Sequence, residues 1–312
     1  MKCSWRWLLL VPVLALCLCG GYVCCHRGEL PDPPVPPMPR QLHGGTDVTF
    51  LVAADTHFGF AGMEAANQRQ IDTMNTLAGK PWPQAIGGAI AEPKALLIAG
   101  DLTEWGSRSE WNDFARFYGF KGGDGKLRYP VLVGTGNHDR LSPFKPILDR
   151  VRQRHGTLVY SWDWGDLHLV CLDEYPDEIL RRWLAKDLAA AGPKTPVILF
   201  QHFPLAGPYA DFWPAADKDA FAETIRGYNV IAIFHGHYHA SVHYRWHGID
   251  VYNTGAPRHG QNTFLVARLT DTHLVVASWR WDQERWMWWH SKPINGRQPA
   301  EPERSSGPVP NW

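Results

Sequence analysis

The stretch Val48-Thr49-Phe50-Leu51-Val52-Ala53-Ala54-Asp55-Thr56-His57 sets a β-rich apolar run directly before an aspartate and a histidine. The run reads as a strand over residues 48–54, and its end delivers Asp55 and His57. The same construction recurs downstream. Residues 95–99 form a second run that ends at Gly100-Asp101, and residues 131–133 a third that ends just before Gly136-Asn137-His138-Asp139. Each is followed by polar residues and then by a helix-like stretch, at 64–77, 109–118 and 143–154. This alternation predicts an α/β layered fold.

Two closely spaced strands are expected at 158–162 and 167–172, with Gly165-Asp166 as the turn between them. After a helix at 177–190, the strand 197–200 ends at Gln201-His202, and the strand 230–234 ends at His235-Gly236-His237-Tyr238-His239. From Ser241 onward the pattern is nearly all strand, at 242–246, 249–252, 263–269, 273–281 and 285–289. A second sheet packed on the first is expected from these strands. No repeat of fixed period is present.

Strand ends in α/β sheets gather at one edge, and ligands bind there. In this chain those ends carry Asp55-x-His57, Gly100-Asp101, Gly136-Asn137-His138-Asp139, His202 and Gly236-His237-x-His239. A lone histidine at a strand end is more often a hydrogen-bonded structural residue than a ligand. Five such blocks in order reverse that reading and point to a binuclear metal site.

The ordered set resembles the five-block signature of calcineurin-like metallophosphoesterases over residues 48–257. One spelling differs, Gln201 before His202, where many members have Gly. The resemblance implies a four-layer α/β/β/α sandwich of two mixed sheets. It also implies phosphoester hydrolysis by direct attack of a metal-bound hydroxide, with no covalent enzyme intermediate. Carried over residue by residue, Asp55, His57 and His239 would hold one metal, and Asn137, His202 and His237 the other. Asp101 would bridge the two.

The chemistry is consistent with this. Two divalent metals roughly 3.5–4 Å apart supply a hydroxide and neutralise phosphoryl charge. Carboxylate suits the bridge, while His and Asn complete the shells without repelling the phosphate. Mn, Fe or Zn would each be accepted by such a set. His138 cannot point the same way as Asn137, so it is the candidate to face the substrate and protonate the leaving oxygen. Asp139 is expected to orient that imidazole.

Other scripts fail. The Tyr that purple acid phosphatases carry three residues after the bridging Asp is Glu104 here, so an iron-tyrosinate site is not expected. The Asp-Arg-Gly of protein Ser/Thr phosphatases is replaced within Asp101-Leu102-Thr103-Glu104-Trp105-Gly106. The glycines around Lys126 have the wrong spacing for a phosphate loop, and there is no Gly-x-Ser-x-Gly. The substrate expected is a phosphomonoester or phosphodiester of a small molecule or lipid head group. A non-catalytic metal-binding scaffold or sensor of the same fold is the alternative, and the complete set, His138 included, weighs against it.

His235, His243, His247 and His259 match no block and read as ordinary polar residues. Arg258 reads as a phosphate contact or a surface arginine. Trp105, Trp111, Tyr209 and Trp213 are candidates to line a substrate pocket. Among sixteen tryptophans, Trp279, Trp281, Trp286, Trp288 and Trp289 cluster on a terminal hairpin. Alternation puts Trp279 with Trp281, and Trp286 with Trp288, on common faces. They read as core and cross-strand packing, or as an aromatic surface near a membrane.

Lys plus Arg and Asp plus Glu balance at 31 each, so no nucleic-acid partner is indicated. Five of the six cysteines fall in the first 25 residues, leaving Cys171 with no partner for a disulfide inside the main domain. Lys2 and Arg6 precede an uncharged run from Trp7 to Cys25. Residues 1–26 therefore read as a cleavable signal peptide or a membrane anchor, sending the rest outside the cytoplasm. Leu14-Ala15-Leu16-Cys17 also resembles a bacterial lipoprotein signal, departing from it at Leu16. Residues 27–46 read as a Pro-rich linker, 47–294 as the catalytic domain and 295–312 as a disordered tail. The oligomeric state is left open.

Overall fold

The computed structural model describes residues 42–294 and 304–306. The first half of the chain alternates β1 (Asp47–Ala53), α1 (Met63–Asn75), β2 (Leu96–Ala99), α2 (Arg108–Tyr118), β3 (Val131–Gly134) and α3 (Pro146–His155). There follow β4 (Tyr160–Trp164), β5 (Leu167–Cys171), α4 (Glu178–Ala191), β6 (Val197–Phe200), α5 (Ala215–Ile225) and β7 (Val230–His235). The remainder is strand: β8 (Ser241–Trp246), β9 (Ile249–Thr254), β10 (Thr263–Thr270), β11 (His273–Arg280), β12 (Arg285–Pro293) and β13 (Arg304–Ser306).

Two mixed sheets form, in the orders β13-β12-β11-β10-β1-β2-β3 and β4-β5-β6-β7-β9-β8. Strands β1, β2 and β3 run parallel in one, and β5, β6, β7 and β9 run parallel in the other. Along β2, Leu96 and Ile98 pack under the helices while Leu97 packs between the sheets, so the strand is apolar on both faces. Ile71, Phe114 and Val151 of α1, α2 and α3 cover the outer face of the first sheet. Leu184 and Leu188 of α4 and Phe221 of α5 cover the second. Between the sheets, Phe50 meets Trp164 at 5.8 Å and Phe234 edge-on at 6.1 Å. Such pairs contribute about 0.5–1.5 kcal/mol each beyond their buried area. The result is the expected α/β/β/α sandwich.

The strands beyond Ser241 correct one expectation, for they do not make a sheet of their own. β8 and β9 extend the second sheet, whereas β10 pairs antiparallel with β1 and carries β11 and β12 into the first. Periodicity reports that a segment is extended and says nothing of its partner. Helix α5 was not anticipated either. Its buried face is only Phe221, Ala222 and Ile225, too sparse to raise a helical signal.

The tryptophan pairing is also corrected. Trp279 opposes Trp286, but Ser278 opposes Trp288, so Met287 is an extra residue on β12. This bulge flips the parity: Trp286 packs toward the helices with Trp279 and Trp281, and Trp288 packs between the sheets. Trp279, Trp281 and Trp288 are buried, and Trp286 stacks on Trp82 at 5.6 Å, so these rings serve packing.

Where the described chain begins, His43 and Gly44 donate backbone N–H groups to Asp166, and Gly45 and Thr46 donate theirs to Asp271. The signal peptide or anchor expected at residues 1–26, most of the expected Pro-rich linker and most of the expected tail lie outside the described residues. Within the tail, Arg304–Ser306 pairs antiparallel with β12. Among the described residues no helix is long and apolar enough to cross a membrane.

Candidate metal centre

The parallel strands of both sheets end at one edge, and the expected ligand residues lie just beyond those ends. Asp55 and His57 follow β1, Asp101 follows β2, and Asn137 follows β3; His202 follows β6, and His237 and His239 follow β7. The site therefore straddles the two sheets. His202 Nδ1 donates across the gap to the Ala99 carbonyl at 2.8 Å, which leaves Nε2 as the nitrogen that faces the site. The His237 amide donates to both carboxylate oxygens of Asp55 at 3.1 Å.

Two sets of donors result, each with its atoms within 4.8 Å of one another: Asp55, His57 and His239, and Asp101, His202 and His237. His57 Nε2 lies 3.2 Å from His239 Nε2, and His202 Nε2 lies 3.2 Å from His237 Nδ1. Asn137 Oδ1 joins the second set at 3.1 Å from His202 Nε2. Asp101 Oδ2 stands between the sets, 3.2 Å from His202 Nε2 and 3.8 Å from His57 Nε2. Imidazole nitrogens facing one another beside carboxylates are the donor arrangement that divalent transition ions satisfy, so the residues fit a metal.

The backbone is bent to make this possible. Asp55, His57, Asp101, His237 and His239 all have positive φ, between 43° and 68°. Strain of that kind collects at functional sites and costs of order 1–3 kcal/mol per residue. Glycine is needed beside them for a different reason. A Cβ on Gly136 would lie 2.2 Å from Asp101 Oδ1, and one on Gly236 2.7 Å from Asp55 Oδ2.

The electrostatics follow from burial and proximity. Burial opposes charge on Asp101 and Asp55, yet His202 beside the first and His239 beside the second hold both carboxyls below the usual carboxylate range. Burial likewise opposes charge on His202, but Asp101 outweighs it and raises the imidazole to about 10. His57 is pushed down to about 3 by burial, and His237 to about 4 by burial and the neighbouring His202.

His138 faces a cleft of about 430 Å³, together with Asp101, Asn137, Tyr209, Phe212 and His259. Its amide donates to Asp101 Oδ1 at 2.9 Å, and its Nδ1 lies 2.8 Å from the Glu104 carbonyl, which fixes Nδ1 as the donor. The expected role of Asp139 is corrected here. Its carboxylate accepts from the amides of Leu102, Thr103 and Gly136 and from the Thr103 hydroxyl, tying the loops after β2 and β3 together. The orienting contact to His138 comes from Glu104 instead. Burial and the nearby Asp101 charge push Asp139 up to about 6, against the four donors.

Glu104 is the site residue to which sequence reasoning gave no role. Its Oε2 lies 2.8 Å from His57 Nδ1, at an angle outside hydrogen-bond geometry, and accepts from Arg258 Nη1 at 2.9 Å. Arg258 is thus neither a surface arginine nor free to swing, and its guanidinium lies 3.8 Å over the Phe60 ring. The capping box of α2 steadies this loop, since Glu110 also accepts from the Trp105 amide. Of the candidate pocket residues, Tyr209 lines the cleft, whereas Trp111 and Trp213 are buried in the two helix-covered cores and Trp105 is exposed. His235 is buried and bonded to Tyr244, and His259 joins the cleft wall, stacked 5.5 Å from His239.

A further group, His243, Asp250 and His290, also offers clustered donors. There Asp250 is already neutralised by Lys292 and Arg245, which identifies a charge network joining β9 to β12.

Comparison with known proteins agrees with this geometry. The family model for calcineurin-like phosphoesterases matches residues 48–241. The chain is 27% identical over 171 residues to a probable cyclic nucleotide phosphodiesterase of Rhodococcus erythropolis, covering 52% of this chain and 56% of that one. It is 24% identical over 209 residues to the glycerophosphodiester phosphodiesterase GpdQ of Enterobacter lignolyticus, covering 60% of this chain and 69% of that one. The match thus spans little more than half of the Rhodococcus protein. Among solved structures, GAP50, the anchor in the inner membrane complex of Plasmodium, shares the fold with a TM-score of 0.58 at 9% identity, over 81% of this chain and 90% of that one.

Proposed function

The chain belongs to the calcineurin-like phosphoesterase family, and from that membership we propose that it hydrolyses a phosphoester with two divalent metal ions. The observation that carries the reading is Asp101 Oδ2 standing between two converging donor sets. Asp55, His57 and His239 would hold one ion, Asn137, His202 and His237 the other, and Asp101 both. When bound, such ions supply activated water and neutralise charge on the phosphoryl oxygens.

The chain's own residues do the rest. His138 Nδ1 is committed to the Glu104 carbonyl, so Nε2 is the atom that hands a proton to the leaving oxygen in the cleft. Glu104 places its charge behind His57 and, by accepting from Arg258, keeps that guanidinium at the rim. Tyr209 and Phe212 form an apolar wall for the alcohol portion of the substrate. A phosphodiester of a small molecule or lipid head group is the substrate favoured, because both curated relatives are named as phosphodiesterases. The uncharged run Trp7 to Cys25 supports a place outside the cytoplasm.

The test is to strip the protein, reload it with Mn, Fe or Zn, and assay bis-p-nitrophenyl phosphate against p-nitrophenyl phosphate. Metal-dependent turnover with the diester preferred is expected. Turnover of neither compound under any metal would overturn the hydrolase reading.

A further inference from the structure

Asn137 and His202 stand on loops of different sheets, yet their facing atoms lie 3.1 Å apart. β3 is the outermost strand of its sheet, so the loop that carries Asn137 and His138 has a neighbouring strand on one side alone. Asp139 ties that side to the loop after β2. The other side faces the second sheet, and there side chains have to set the distance. The bond from His202 to the Ala99 carbonyl ends at β2 and does not reach the β3 loop.

Arg140 makes that crossing. Its Nη2 donates to the Asp173 carboxylate and to Thr135 Oγ1 at 3.1 Å. Its Nε lies 2.7 Å from Glu174 Oε2 at an angle outside hydrogen-bond geometry, so this contact acts through charge. The Thr135 hydroxyl donates to the same Asp173 carboxylate. Thr135 and Arg140 bracket the Asn137–His138 turn, so both of its ends are bound to one carboxylate on the loop after β5.

Asp173 and Glu174 in turn carry His202. The His202 amide donates to the carbonyls of Asp173 at 3.0 Å and Glu174 at 3.1 Å, and the Phe203 amide donates to that of Glu174 at 2.9 Å. Asp173 holds a positive φ of 62°, strain of the kind that collects at functional sites. A chain of contacts thus runs from the backbone on either side of Asn137, through one guanidinium and one carboxylate, to the backbone of His202. As a source of stability it is a poor device. Asp173 is buried and the Arg140 side chain is only 24% exposed, and desolvating such charges offsets much of their attraction. What a planar guanidinium adds is geometry, because its fork engages its partners from fixed directions.

We propose that Arg140 is a positioning residue for the ion assigned to Asn137, His202 and His237. By clamping the loop after β3 to the loop after β5, it sets the separation of Asn137 and His202 and so the affinity of that position. The position at Asp55, His57 and His239 has its own tie, the His237 amide on the Asp55 carboxylate, which Arg140 does not touch. Loss of Arg140 should therefore unload one position and spare the other. The proposal rests on the two-ion reading of the site.

Titration of the stripped full chain with Mn, read by competition with a chelator, tests it. The parent is expected to bind two ions. Arg140→Met should bind one with the parent's affinity and the other about ten- to a hundredfold more weakly, the usual cost of losing a group that supports a ligand. Glu174→Gln keeps the volume of the clamp and should weaken the same ion by less, which keeps the test open if Arg140→Met does not fold. Coupling identifies the route. Asn137→Ala removes the ligand itself, and adding Arg140→Met should weaken the ion by less than the product of the two separate losses. Two ions weakened equally, or losses that multiply in full, would mark Arg140 as a general support of the fold and overturn the proposal. So would two ions bound with the parent's affinity in both clamp variants. A parent that binds a single ion would instead overturn the two-ion reading, and the proposal with it.

Discussion

Glu104 Oε2 lies 2.8 Å from Nδ1 of His57, on the side of the ring opposite the nitrogen that faces His239. The contact lies outside hydrogen-bond geometry and acts through charge: a carboxylate behind a histidine ligand raises the ring's basicity, and loss of such a group weakens metal binding by about ten- to a hundredfold. Glu104→Gln keeps the volume and removes the charge. Metal affinity, measured by competition with a chelator, is expected to fall within that range, and an unchanged affinity would exclude this role for Glu104.

His138 is expected to matter in proportion to the difficulty of the leaving group. His138→Ala should slow hydrolysis of an alkyl phosphodiester by about a hundredfold to ten-thousandfold, the usual contribution of a general acid. A p-nitrophenyl leaving group needs little protonation and should be affected much less. Equal losses on both substrates would remove the acid role and leave His138 as a binding residue.

The sandwich, and the strand ends at which the candidate donor residues gather, were legible because burial on both faces makes β1, β2 and β6 read as short apolar runs, and the candidate site begins where each run stops. The assignment of β10 to β12 to the first sheet was not legible, since it depends on which strand accepts β10 and not on any local pattern. The bulge at Met287 is equally silent in the sequence. Glu104 could have been found from its place three residues beyond Asp101 on the loop after β2. Asp139 was misread because adjacency to His138 in sequence was taken for contact, whereas the turn at His138–Arg140 carries its carboxylate back to the Leu102 and Thr103 amides.

His168 on β5 gives the fold a pH dependence away from the site. Burial opposes its charge, but hydrogen bonds to Asp163 and Asp187, each 2.8 Å, outweigh this and raise its pKa to about 9. A histidine raised in the folded state stabilises fully below its unfolded pKa of about 6.5 and loses that contribution as pH rises toward the folded value. His168→Gln should therefore be most destabilising near pH 6 and least above pH 9. Urea unfolding at the two pH values checks this, and a pH-independent difference would contradict it.

The network that joins the sheets is expected to be intolerant of half-removal. Asp250 is almost fully buried and pairs with Lys292 on β12 and with Arg245 on β8. Removing one partner of such a pair costs about 3–5 kcal/mol, so Asp250→Ala should lower the unfolding free energy by that order. Asp250→Ala/Lys292→Met should recover part of the loss. A double variant no more stable than the single one would argue against the pairing as its cause.

The most direct test of the central claim is to count metal ions per chain in the parent protein and in Asp101→Asn, with turnover of bis-p-nitrophenyl phosphate followed in the same samples. Two ions per chain and metal-dependent turnover are expected of the parent. The variant should hold one ion or none, with turnover lost in parallel. A variant that keeps both ions and full activity would contradict the placement of Asp101 between the two metals, and with it the account of the site.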